Sequence, residues 1–359
     1  MRQPAHGGNL AWAAALAGCP PAAILDFSAS ISPLGPPNSA IAAIQSHIGN
    51  LRHYPDPSYS DLRLALSHFH QLPFEWILPG NGSAELLTLV GRELAQLAAT
   101  VVITPAFGDY YRTLSAYNAQ VLEFPVNWES TADLSAFLDK GSKNFQDMGL
   151  LLNNPHNPTG KLFFREAILP YLERFALVVV DEAFMDFLSP DEEQSLIALV
   201  QEYENLVVLR SLTKFYSLPG LRLGYAIAHP DRLSKWQNWR DPWPVNTLAA
   251  AAAIAAIQDR EFQQQTWLWL PPARTQLLQG LAAIPGLKPY NSAANFLLIE
   301  SNRSITQLQQ QLLTYHQILI RDCLSFKELG DRFFRTAVRT QTDNQRLLTA
   351  LNSVITAEC

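Results

Sequence analysis

The chain has 359 residues, 48% hydrophobic and 16% charged, which is enough length for two domains and enough apolar material for large buried cores. Its 26 lysines and arginines against 32 aspartates and glutamates leave a net charge of -6. That balance gives no electrostatic footprint for a nucleic-acid partner, and it does not repel an anionic small molecule, because local clusters decide that. Three scattered cysteines, Cys19, Cys323 and Cys359, fit neither a disulfide framework nor a zinc site and point to a reducing cytoplasm.

The opening MRQPAHGGNLAWAAALAGCP carries one arginine before a short alanine-rich run. HGGN is polar where the apolar core of a secretion signal would begin, so the segment is not read as one. Residues 1–38, rich in Pro, Gly, Ser and Asn, read as an ordered arm or loop and not as a core element. A helix is expected from Ser39 to Ile48, then the turn-rich YPDPSYS, then a helix from Asp61 to Phe69. VVIT (101–104), GLLLNN (149–154), ALVVVDEA (176–183) and LVVLRSLT (206–213) read as strands covered on both faces. Helical patterns lie between them, near 84–97, 109–118, 165–174 and 194–200. The alternation predicts an α/β fold whose sheet is mostly parallel, with right-handed crossovers.

One long helix is expected over Thr247–Leu270, stopped by Pro271 and Pro272, with another soon after. Its alanine run near Ala249–Ile257 is too short to span a bilayer and reads as a buried helix packed at close range. The remainder alternates strand, helix, strand, strand, helix (ANFLLIE, ITQLQQQLLTYH, ILIRD, FFRTAVR, DNQRLLTALNSVI), a small α+β domain. The expected division is an arm at 1–38, a large domain at 39–260 and a small one at 261–359, with a soft boundary.

Chemistry gathers where strands end. In SLTKFYSLPGLRLGY (211–225), Lys214 follows a hydrophobic strand, between hydroxyl residues and a glycine-containing turn. Lysine forms Schiff bases, and burial lowers its pKa for that task. Ser211, Thr213 and Arg222 have the donors to hold one phosphate; a solvent-exposed lysine beside a structural turn is the plainer reading. In VVVDEAFMDF (178–187), Asp181 comes first after the buried run and is the better candidate than Glu182 to pair with a protonated ring nitrogen. A helix cap is the alternative. Asn157, in NNPHNPTG (153–160), offers an amide for a ring oxygen, and GNGSAELL (80–87) puts glycines and Ser83 at a helix start suited to an anion or to simple capping. Tyr110, in PAFGDYY, is placed to cover a flat ring, with Tyr111 as competitor and core packing as the alternative. His68 and His70 are two apart in a helical segment and share no face, so no metal site is expected.

Together these motifs resemble the fold-type I pyridoxal-phosphate enzymes of the aspartate aminotransferase superfamily, over essentially the whole chain. Within it the chain is similar to the histidinol-phosphate aminotransferase group, and most of all to its threonine-phosphate decarboxylase branch. The branch resemblance rests on HGGN, DFSASISPLGPP, DEAFMDF with Phe184 where aminotransferases usually carry tyrosine, SLTKFYSLPGLRLGY, RDPWPVNTLA and ILIRDCLSF. The resemblance implies a large domain with a mostly parallel sheet, helices on both faces and a smaller α+β C-terminal domain. Pyridoxal 5'-phosphate is the implied cofactor. Lys214 would carry it as a Schiff base, Asp181 would bind the ring nitrogen, Asn157 the ring oxygen, and Tyr110 would stack on the ring. Ser83, Ala84, Ser211, Thr213 and Arg222 would hold its phosphate, with Tyr54 of HYPDPSY reaching the phosphate of the neighbouring subunit in a homodimer. Arg335, in FFRTAVRT, would receive the substrate carboxylate. Ser32 stands where the branch more usually has an asparagine that could contact substrate.

The implied reaction is decarboxylation of L-threonine O-3-phosphate to (R)-1-amino-2-propanol O-2-phosphate and CO2, a step of cobalamin synthesis. The alternative is an aminotransferase acting on histidinol phosphate or an aromatic amino acid. For the substrate phosphate, Arg321 at the end of the apolar ILIRD and His6 in a glycine-flanked arm are the candidates. The competing expectation pairs Arg321 with Asp322 or Glu328 and leaves His6 in solvent. The partners expected are a small phosphorylated amino acid and a second copy of the chain, with neither nucleic acid nor membrane.

Overall fold

The computed structural model describes residues 6–127 and 145–356; Cys359 lies outside them. Its centre is a seven-stranded sheet. The strands are β2 (Ile77–Gly80), β3 (Ala99–Thr104), β4 (Val121–Pro125), β5 (Met148–Asn153), β6 (Leu177–Asp181), β7 (Leu206–Ser211) and β8 (Gly224–Ala228), in the order β2-β8-β7-β6-β5-β3-β4, where β1 is a short arm strand, Leu25–Asp26. β7, β6, β5, β3 and β4 pair in parallel, while β8 runs against both of its neighbours. The four strands expected from apolar runs are here within two residues of their expected ends. β2, β4 and β8 were not anticipated, because ILPG, VLEFP and GYAIA are short and broken by Pro or Gly. β6 and β7 are buried along their whole length, as strands covered on both faces must be.

Helices at Asn38–His47 and Ser60–His70 match the expected ones closely. The segment 194–200 does not form the expected helix; it contains only the three-residue 3-10 turn Ile197–Leu199, because Ser195 and the Leu196 amide turn inward to Glu182. The expected helix over Thr247–Leu270 is also corrected. The chain breaks at Asp259, whose carboxylate caps the next helix through the Phe262 amide (3.0 Å) and accepts from Ser39 Oγ (2.6 Å). Two helices result, Thr247–Gln258 and Arg260–Ala282, and the second runs through Pro271 and Pro272 instead of stopping there. Leu268, whose carbonyl Pro272 leaves without a helical donor, is 76% exposed. Ala249, Ala252, Ala253 and Ala256 are buried where the first of these helices packs on Asn38–His47. Among the described residues, no helix is long and apolar enough to cross a membrane.

The C-terminal part carries a four-stranded antiparallel sheet, order β12-β13-β10-β9, from β9 (Leu287–Pro289), β10 (Phe296–Ser301), β12 (Arg321–Asp322) and β13 (Phe333–Ala337). The expected single strand ILIRD divides. β11 (Ile318–Leu319) pairs in parallel with β1 of the arm, and only Arg321–Asp322 joins β13. Of the two expectations, ordered arm or loop, the structure has the ordered arm, and it departs from the expectation that no part of it enters a core. It holds a helix, Leu10–Ala17, and Ala13, Ala14 and Ile24 form a small core with Leu313 and Leu319.

Candidate functional site

The parallel strands end on one rim of the sheet, and residues from separate motifs meet there. Lys214 lies in the single helical turn Leu212–Phe215 that follows β7. Its Nζ is 3.1 Å from Thr213 Oγ1 and 3.5 Å from Ser211 Oγ, and 5.6 Å from the Phe184 ring centroid. Burial draws its pKa down to about 8; Asp181 opposes that shift, and Arg222 and Arg335 add to it. A neutral, nucleophilic amine is therefore accessible near neutral pH.

Asp181 ends β6, and its two oxygens are used differently. Oδ1 accepts the Ala183 amide (3.1 Å), and Oδ2 accepts the Tyr110 hydroxyl (2.8 Å). Burial pushes the Asp181 pKa up, and the Tyr110 hydrogen bond and the Lys214 charge pull it back. Tyr110 is itself held far above the usual tyrosine range by burial and by Asp181, so it stays a donor. This hydroxyl contact adds to the stacking role implied for Tyr110 and was not foreseen. The Asn157 backbone N–H donates to Asn153 Oδ1 (2.7 Å), and its side-chain oxygen accepts from Arg335 Nη1. The Arg335 guanidinium lies 4.8 Å from the Phe296 centroid; its Nε is buried and, among the described residues, has no hydrogen-bond partner. Phe184 and Phe296 meet edge to face at 5.0 Å, an apolar wall between Lys214 and Arg335 that no single motif announced.

The phosphate-binding candidates meet at the start of the helix Gly82–Leu94. Gly82 has φ +72°, and a Cβ there would lie 2.6 Å from Arg222 Nη2. A Cβ at Gly224 would lie 2.8 Å from the Ser83 nitrogen and 2.7 Å from the Arg210 carbonyl, so glycine lets the helix start rest on the first residue of β8, beside the end of β7. Ser83 and Ala84 follow in the first turn, whose N–H groups have no intrahelical acceptors. Ser211 Oγ and Thr213 Oγ1 are 2.8 Å apart.

Ser32 reaches this region through its main chain. Its N–H donates to the Lys214 carbonyl (3.0 Å), and its carbonyl accepts from Ser217 Oγ (2.6 Å). Arg321 is buried, donating to Ser325 Oγ (2.8 Å) with Nη1 3.5 Å from Asp322 Oδ2. It lines a cavity of about 10 Å³ together with His6, Asn9 and Ser28. His6 is not left wholly to solvent: Nε2 is 3.7 Å from Asp109 Oδ1, and its ring tilts 5.7 Å from Phe107. Tyr54 is not brought to the others; it is 80% exposed and stacks on Trp243 at 4.6 Å. Glu182 points away from Lys214 into a buried network with Arg210. A charge inside the apolar run LVVLRS was the available sign of that network. Among the described residues, no group of three acidic, histidine or cysteine side chains is placed to hold a metal ion.

Comparison with known proteins adds an independent line. Residues 22–351 match the family aminotransferase class I and II. The chain is 38% identical to a threonine-phosphate decarboxylase of Salmonella typhimurium, over 98% of this chain and 97% of that protein. It is 33% identical to a histidinol-phosphate aminotransferase of Symbiobacterium thermophilum, over 90% of this chain and 88% of that one. It superposes on the crystal structure of the histidinol-phosphate aminotransferase from Clostridium acetobutylicum with a TM-score of 0.85 at 28% identity, over 93% of this chain and 100% of that one.

Proposed function

The chain belongs to aminotransferase class I and II, and from that premise we propose that it is a pyridoxal-phosphate enzyme that decarboxylates L-threonine O-3-phosphate. The residues fit the cofactor on two counts. Gly82 leaves a cradle against Arg222 that any Cβ would fill. The donor set combines an amine, a carboxylate, an amide and paired hydroxyls around one rim.

Lys214 would bind the cofactor covalently, Asp181 would face its ring nitrogen and Asn157 its ring oxygen, and Tyr110 would cover the ring. Ser83, Ala84, Ser211, Thr213 and Arg222 would take the phosphate. When bound, this group supplies an electron sink for the carbanion left at Cα. The chain's own residues do the rest. Asp181 keeps negative charge beside the ring nitrogen. Arg335 holds the substrate carboxylate, Arg321 and His6 hold the substrate phosphate, and Ser32, bonded through its main chain to Lys214 and Ser217, faces substrate from the arm. Lys214 Nζ delivers a proton to Cα after CO2 departs. Phe184 and Phe296 exclude water from the amine's surroundings. Residues 1–38 are the arm, 39–260 the cofactor domain and 261–359 the small domain. Tyr54 and Trp243 form an exposed stacked pair that would be covered in a homodimer, carrying Tyr54 to the partner's cofactor phosphate.

The observation that carries the decarboxylase reading is the 38% identity along the whole chain to the Salmonella protein. A second reading, transamination of histidinol phosphate or an aromatic amino acid, is favoured by the 33% identical relative and by the aminotransferase structure at TM-score 0.85. Incubating the purified, cofactor-loaded protein with threonine phosphate tests both. CO2 release with a phosphorylated amino alcohol is expected. Amine transfer that requires an added keto acid, without CO2, overturns decarboxylation in favour of the second reading.

A further inference from the structure

Directly behind the site, on the other face of the sheet, lies a buried charge network. Successive strand residues point to opposite faces. Asp181 and Ser211 face Lys214, and their neighbours Glu182 and Arg210 face away. The ladder continues one residue past β6, where the Glu182 amide donates to the Leu209 carbonyl (2.8 Å). Arg210 Nε donates to Glu182 Oε2 (2.9 Å), and Nη2 to Ser195 Oγ (2.9 Å), which itself donates to Glu182 Oε2 (2.7 Å). Nη1 bonds Asp186, and the Leu196 amide holds Glu182 Oε1 (2.8 Å). Glu193 stands 3.9 Å off at the partly exposed edge. His70 and Tyr225 pack behind, bonded to each other at 2.8 Å. Burial, with Arg210 adding, draws the His70 pKa down to about 3, so His70 is neutral there.

We propose that Arg210 is a positioning residue of the site, clamping the ends of β6 and β7 from the far face of the sheet and so setting the separation between Asp181 and the Ser211–Lys214 segment. A purely stabilising pair would serve equally well anywhere along the two strands. This one sits one residue from each of the two segments that must hold their spacing. The guanidinium ties the Glu182 and Asp186 carboxylates and the Ser195 hydroxyl, from the β6 end and the following loop, to the β7 end, a task its planar fork performs and a point charge does not.

The inference rests on the roles proposed for Lys214 and Asp181, and the test separates the two. In Arg210→Lys the charge stays and the fork is lost. In cofactor-free protein, the pH dependence of Lys214 labelling by an amine-reactive reagent reports its pKa. Asp181 raises that pKa, and Arg222 and Arg335 lower it. Release of the clamp lets Asp181 recede, so the value is expected to fall below that of the wild type, while loaded enzyme loses about tenfold or more in kcat with KM little changed. The triple variant Glu182→Gln/Asp186→Asn/Arg210→Met removes the buried charges together, which such cores tolerate. It is expected to fold and still to lose kcat. Unchanged Lys214 titration in Arg210→Lys, or wild-type kcat in the folded triple variant, overturns the proposal. Failure of the underlying roles shows separately, as a borohydride-reducible cofactor adduct that survives Lys214→Ala.

Discussion

The rim around Lys214 and the cavity around Arg321 are built by different means. The rim is assembled from residues at or just past the ends of β5, β6 and β7, each fixed by a buried strand and a tight turn. The cavity is assembled from the arm and from β12, with His6 and Arg321 more than three hundred residues apart in the chain. The first region depends on the main sheet, whose strands are buried on both faces. The second depends on how the two-residue strand β1 docks on β11 and how the arm helix seats against Leu313 and Leu319. The arm is tied to the body by main-chain hydrogen bonds, Leu25 N–H to the Gln317 carbonyl and Phe27 N–H to the Leu319 carbonyl (both 2.8 Å), and by the buried Phe27. Under the proposed roles, the rim carries the cofactor chemistry and the arm side the choice of substrate.

Substitutions on the two sides should therefore separate. Lys214→Ala sits at the centre of the rim and should lose turnover on the order of 10³-fold or more, because the amine that moves the proton is gone. The visible absorption of the lysine-bound cofactor should vanish with it. Full activity, with a reducible adduct at full occupancy, would remove Lys214 from its role. Asp181→Asn should fold, bind cofactor and lose about 10²-fold or more in kcat, since a preorganised charge is replaced by a neutral amide. Wild-type kinetics in that variant would assign the ring-nitrogen role elsewhere.

Arg321→Ala tests the arm side. A charged hydrogen bond contributes about 1.5–3 kcal/mol, so kcat/KM for phosphorylated substrate should fall more than about tenfold, with cofactor binding hardly altered. Threonine is the control. If threonine and threonine phosphate suffer by the same factor, Arg321 does not read the phosphate, and its contacts to Asp322 and Ser325 are structural.

The smallest effect is expected from Tyr110→Phe, which keeps the ring and removes the hydroxyl from Asp181. That hydrogen bond favours the carboxylate, so its loss raises the Asp181 pKa. In the proposed role Asp181 acts in its charged form, so activity is expected to fall as pH drops through its pKa. The acid limb of the kcat profile should therefore shift to higher pH, with activity on the alkaline side of that limb retained. A profile superimposable on wild type would show that the contact does not tune Asp181.

Legibility in the sequence followed the same division. Lys214, Asp181, Asn157 and Arg222 stand in short motifs directly after apolar runs, and buried parallel strands are read from such runs without knowing their neighbours. The Asp181–Tyr110 bond was hidden, because the partners come from different crossovers seventy residues apart. Arg210 announced itself as a charge in a buried strand, yet Glu182, Asp186 and Ser195 became its partners only when three segments met. The helix ends near Asp259 were misjudged for a related reason. Pro271 and Pro272 have a strong local bias against helix, but packing of Leu270, Ala273 and Leu277 on the core overrides it.

By itself the sequence determined the α/β class, the four central strands, the motif at the end of each and the residue types those motifs carry. These follow from local periodicity and from side-chain chemistry. Tertiary structure alone decided that the arm pairs with β11, that ILIRD divides between two sheets, that Arg335 meets Asn157, and that Arg210 lies behind Asp181 and Ser211. Those contacts join residues distant in the chain, and their energy comes from shared burial, which no local pattern encodes.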